Sequence, residues 1–152
     1  MSKQTILDRL NKEWQSLLQS YSDLPDNILL EPNVVGAWSI RDVLTHIATW
    51  EAEALNAFPI ILKNEKPPSY AARGGIDGFN AGEQVGKRNL SLAQVKAELY
   101  ATHARLMAFL ANVPDTAFVS GSRLLRRIKW DTHHHYHEHT QQILEWRKAK
   151  NY

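Results

Sequence analysis

Residues 39–62, SIRDVLTHIATWEAEALNAFPIIL, read as one long amphipathic helix. Apolar side chains recur every three or four positions, at Ile40, Val43, Leu44, Ile47, Trp50, Ala54, Leu55, Phe58 and Leu62, which stacks them along one helical face. Ser39 followed three residues later by Asp42 is a capping-box-like start, because the hydroxyl accepts from an orphan amide and the carboxylate suits the positive end of the helix. Pro67-Pro68 supplies the stop. A helix of about 24 residues is the length used in helix bundles.

Working outward, Ile6, Leu7, Leu10, Trp14, Leu17, Leu18 and Tyr21 repeat the spacing and predict a first helix over 2–21, closed by DLPDN around Pro25. Five of the seven glycines lie between Pro67 and Leu90, which reads as a crossover connection with a short helix around Phe79 to Arg88. Ser91 with Gln94 starts a third helix carrying Leu92, Val95, Leu99, Thr102, Leu106, Phe109 and Val113, and Pro114 ends it. A short turn at Asp115 to Phe118 and a loop or extended lead-in over 119–129 follow. Asp131 or Thr132 caps a fourth helix running to Arg147. The pattern predicts an all-α, single-domain four-helix bundle over 1–152 with one long crossover connection.

With 152 residues, 43% hydrophobic and 22% charged, the chain is large enough to bury a core without cross-links. Cysteine is absent, so any thiol chemistry needs an external thiol. MSKQTILDRLNKEW has no apolar core of signal-peptide type and no stretch nears the roughly 20 apolar residues of a membrane span, so a cytoplasmic protein without membrane insertion is expected. The net charge of +2 gives nucleic acid little support as a partner. The basic cluster Arg123, Arg126, Arg127 and Lys129 is read as a solvated run at a helix start.

Five of the seven histidines fall within seven residues: His133, His134, His135, His137 and His139. His133 with His137 and His135 with His139 are four apart and share a face. The stripe from His135 and His139 continues into Ile143 and Trp146, whereas His133 and His137 run towards Gln141, Leu144 and Lys148, so the first pair is the more core-facing. Two such histidines can bind one transition-metal ion but need a further ligand. His46, one turn before Trp50, is the best donor elsewhere. His103 reads as a rim residue, and His133, His134 and His137 as mostly solvent-facing. No H-E-x-x-H protease signature is present, Gly74, Gly75 and Gly78 match no phosphate loop, and Ser120 and Ser122 have no base partner.

Together, GAWSIRDVLTHIATWE, IDGFN and DTHHHYHEHTQQILEWR resemble the DinB/YfiT-like family of four-helix-bundle proteins read as metalloenzymes, in motif order over essentially the whole chain. The resemblance places metal ligands on His46, His135 and His139. It also matches Trp38 and Ser39 to the helix start, Trp50 and Glu51 to the W-E after the first ligand, and Asn80 to the connection. It implies a divalent metal, zinc or nickel, and a low-molecular-weight thiol cosubstrate such as bacillithiol or mycothiol. The extra histidines exceed the usual motif, so a ligand pair shifted to His133 and His137 stays open.

The resulting expectation is a metal-dependent enzyme acting on a small-molecule electrophile, a thiol S-transferase, isomerase or hydrolase, with Trp50, Glu51 and Glu53 as second-layer or pocket residues and a homodimer permitted by exposed helix faces. Glu51 and Glu53 have a blander reading as ordinary surface carboxylates. The alternative is a non-catalytic small-molecule binding or sequestration protein whose wall is Trp38, Trp50 and Trp146. A DNA-damage or stress-response partner ranks last.

Overall fold

The computed structural model describes residues 1–152. It has seven α-helices: α1 (Lys3–Tyr21), α2 (Asp26–Leu29), α3 (Ile40–Leu62), α4 (Gly75–Lys87), α5 (Leu92–Asn112), α6 (Arg123–Asp131) and α7 (His133–Lys150). The only β pairing is an isolated bridge between Val35 and Trp38. No helix is long and apolar enough to cross a membrane. The four long helices, α1, α3, α5 and α7, are the four read from apolar spacing, and the chain divides into two compact units, residues 1–43 with 114–152, and residues 44–113.

In the first unit α1 packs along α7. Ser2 caps α1 by accepting from the Thr5 amide at 3.1 Å, and Ile6, Leu10, Trp14, Leu17 and Tyr21 are buried in the periodicity that the sequence announces. Trp14 meets Tyr136 of α7 edge to face, with ring centroids 5.5 Å apart. Each such residue, fully buried, contributes about 1.5–3 kcal/mol relative to exposure. The far end of α7 is clamped: Arg147 makes a bidentate pair with Asp23, both bonds at 2.8 Å, and Lys150 and Tyr152 converge on Glu31.

The lead-in expected over 119–129 is instead the helix α6. Ser122 caps it, its hydroxyl accepting from the Leu125 amide at 3.2 Å, and the helix buries Leu124, Ile128 and Asp131. Thr132 then interrupts the chain with φ −130° and ψ −103°, its hydroxyl donating to the Ile128 carbonyl, so the last helix starts at His133 and reaches Lys150.

The α3 start is held as the sequence suggests. The Asp42 amide donates to the Ser39 hydroxyl at 3.1 Å and the Ser39 amide to the Asp42 carboxylate at 3.0 Å. The helix ends before the two prolines. Asn64 takes a left-handed φ of 61°, and the Glu65 and Asn64 amides donate to the carbonyls of Ile60 and Ile61, a Schellman closure. Leu62 is accordingly 40% exposed rather than part of the buried face.

In the second unit α4 begins at Gly75, four residues before the expected start. The turn before it depends on glycine: Gly74 has φ +83°, and a Cβ there would lie 3.3 Å from the Gly78 Cα. An aromatic trio, Trp50 with Tyr70 and Phe79 at centroid distances of 5.1 and 5.3 Å, joins this connection to α3. Lys87 adds a 2.8 Å bond to the Thr49 hydroxyl. On α5, Ser91 and Gln94 form the full capping box, and Val95, Leu99, Thr102 and Leu106 are buried.

Candidate metal centre

The histidine-rich start of α7 sorts its side chains by burial. His135, His139, Ile143 and Trp146 form the buried stripe, His133 and His134 are half-buried, and His137 is exposed. Residues four apart stack, and the His135 and His139 Nε2 atoms lie 3.0 Å apart. The His139 Nδ1 lies 2.7 Å from Gln142 Oε1. An amide oxygen only accepts, so Nδ1 carries the proton and Nε2 keeps its lone pair, the tautomer a metal ligand requires.

His46, half-buried on α3, completes a group: one ring nitrogen from each of His46, His135 and His139 lies within 4.8 Å of the others. Tetrahedral coordination at metal–nitrogen distances of about 2.0–2.1 Å separates ligand nitrogens by about 3.3 Å. The 3.0 Å pair is already near that spacing. Burial lowers the His139 pKa despite the Gln142 bond, so this imidazole is neutral at neutral pH. An all-imidazole donor set suits zinc, nickel, copper or iron, so the three histidines could hold such an ion.

The remaining histidines have other surroundings. His137 Nδ1 sits 3.1 Å from Glu13 Oε2 on α1, and burial, reinforced by the positive charge of Arg9, pushes His133 down to about 4. Neither belongs to the three-histidine group.

Two expectations change. Glu51 is no surface carboxylate but fully buried at 0% exposure, its Oε1 3.3 Å from the Nδ1 of His103. His103, expected at the rim, is buried at 8%. Stripes available in the sequence carry both: Ile47, Glu51, Ala54 and Phe58 on α3, and Leu99, His103 and Leu106 on α5. Polarity masked the pattern. Glu53 is engaged elsewhere, accepting from the Tyr70 hydroxyl at 3.0 Å and from Arg73 at 3.3 Å. Trp50 donates from Nε1 to Asn80 Oδ1 at 2.8 Å, which gives the asparagine of the connection a structural role.

The sequence description of the DinB superfamily matches residues 9–144. No curated protein matches the chain in sequence. Among solved structures the fold is similar to that of DfsB, described as a sibling lethal factor precursor, with TM-score 0.81 and 12% identity over 99% of this chain and 97% of that one. It is similar to an uncharacterised protein of Escherichia coli UTI89, with TM-score 0.80 and 15% identity over 99% and 95% of the two chains. It is also similar to the colibactin self-resistance protein ClbS, solved in complex with a dsDNA, with TM-score 0.79 and 13% identity over 97% and 96%. Such identities carry the fold and nothing finer, whereas the sequence match spans most of the chain: this protein belongs to the DinB superfamily.

Proposed function

We propose that the chain is a divalent-metal-dependent enzyme in which His46, His135 and His139 hold the ion and a low-molecular-weight thiol reacts with a small electrophile. The observation that carries this reading is the convergence of three imidazole nitrogens within 4.8 Å. Zinc or nickel bound there would lower the pKa of a thiol at the coordination position that three protein ligands leave open, giving a nucleophile at neutral pH. In the transfer a sulfur–carbon bond forms, the leaving group departs with its electron pair, and the thiol proton passes to solvent. The protein has no cysteine, so the sulfur comes from the cosubstrate. The part of the chain is to bind and orient: His135 and His139 are fixed by burial on one helix face, and Gln142 sets the His139 tautomer.

The test is the metal content of untagged protein by elemental mass spectrometry, for wild type, His46→Ala and His139→Ala. One dialysis-resistant equivalent lost in both variants is expected, followed by thiol-transfer activity on model electrophiles. Metal surviving both changes removes the site. A sequestration protein of the same fold would instead bind small molecules without metal. Trp50, one of the tryptophans offered as its wall, is packed against Tyr70 and Phe79, which favours the metal reading.

A further inference from the structure

We infer that the outer face of α6 binds single-stranded nucleic acid. The helix buries Leu124, Ile128 and Asp131. At 100° per residue, Arg123, Arg126, Lys129 and Trp130 fall on the opposite side, along about 10 Å of axis. The sequence RLLRRIKWD places four cations against one carboxylate in nine residues, while the whole chain has a net charge of only +2. Positive charge is thus concentrated here.

The pairing of Arg126 and Lys129 leaves the charge of these two available. Asp131 is taken by Arg127. Arg126 donates only to the Gly121 carbonyl, at 3.0 Å, and Lys129 rests 5.0 Å from the centre of the Trp130 ring, so neither is neutralised by a carboxylate. Exposed Arg9 of α1 extends the patch, its charge acting with that of Lys129 on His133 against the carboxylate of Glu13.

Trp130 identifies the partner. It is 56% exposed, whereas Trp14, Trp50 and Trp146 are buried at 8% or less. His134 steadies it edge to face at 4.6 Å. Phosphates alone would need no indole, whereas unpaired bases stack on exposed aromatic rings flanked by cations. A duplex keeps its bases stacked out of reach of a ring on a convex helix. An anionic membrane would want an apolar strip beside the cations, and α6 turns Leu124 and Ile128 inward.

The test is fluorescence anisotropy of a labelled oligothymidylate titrated with the full chain across a salt series. Wild type should bind at low salt. Trp130→Ala should weaken binding about 5- to 100-fold with the salt slope unchanged, and Trp130→Phe should recover part of the loss. The Arg126→Ala/Lys129→Ala double variant should flatten the log–log salt slope by about 1.4, since each single-strand phosphate contact contributes about 0.7. All these side chains are on the outside of α6, and unchanged far-UV circular dichroism checks the fold. No binding by wild type, indifference to Trp130→Ala, equal or tighter binding of a duplex, or binding confined to phosphatidylserine vesicles overturns the inference.

Discussion

Gln142 is the residue whose role separates a metal centre from a histidine-rich surface. Its amide oxygen, 2.7 Å from His139 Nδ1, fixes which nitrogen faces His135, and outer partners of this kind typically change metal affinity 10- to 100-fold. Gln142→Ala is therefore expected to weaken zinc affinity about 10- to 100-fold by competition with a chromogenic chelator, whereas His137→Ala, on the exposed side, leaves stoichiometry at one. Equal effects of the two would mean that the run binds metal as an unstructured tag does. In the proposed site neutral imidazole would be the ligand, so protons would compete with the ion. Because burial lowers the His139 pKa from the ordinary value of 6.5, its competition sets in below that value, and affinity should fall as pH drops further. His135 and His139 were legible because their stripe leads into Ile143 and Trp146, and the third member through His46 beside Ile47 and Trp50. Glu51 and His103 were not, because apolar periodicity skips a polar residue even where its spacing is that of the core.

Helix ends show how local chemistry decides where elements stop. Ser122 is the side-chain cap at the start of α6, and a helix of nine residues has little reserve of its own. Ser122→Ala should cost about 1 kcal/mol in urea unfolding, with faster amide exchange through α6. An unchanged midpoint and exchange pattern would show that packing of Leu124 and Ile128 alone defines this helix. The long helices α1, α3 and α5 could be read from spacing and caps because each repeats one apolar face over most of its length, and α7 from the stripe that runs from His135 and His139 into Ile143 and Trp146. α6 could not, since four cations in RLLRRIKWD hide an apolar side of only Leu124, Leu125 and Ile128. The α3 end at Leu62 falls where the apolar face read from the sequence stops, but the residue that closes it is Asn64, which takes the left-handed conformation before Pro67-Pro68 is reached. Within the helix, exposed Pro59 has no amide to offer the Leu55 carbonyl, so Pro59→Ala should raise the melting temperature.

For the whole molecule, metal binding at the proposed site would be coupled to stability. A ligand held by the folded chain and not by the unfolded one adds RT ln(1 + [L]/Kd), about 2.7 kcal/mol at a hundredfold excess over Kd. For a chain of 152 residues each kcal/mol moves the midpoint by about 2–4 °C, so saturating zinc should raise the melting temperature by about 5–10 °C over chelator-treated protein. His46→Ala and His139→Ala should melt at one temperature with zinc or with chelator. The dependence on acidity has a definite sign: the increment is full where the imidazoles are neutral and shrinks as pH falls and protons displace the ion. The Arg147–Asp23 and Lys150–Glu31 pairs respond in a lower window. Both carboxyls are held below their ordinary values, 3.8 for Asp23 and 4.5 for Glu31, first by hydrogen bonds from those cations. Their contribution is present above those values and is lost as pH falls further. Loss of the zinc increment while metal-free protein keeps its melting temperature would assign the change to the histidines. Both falling together, or no zinc increment at any pH, would show that no ion is held specifically by the folded chain, and the thiol chemistry would go with it.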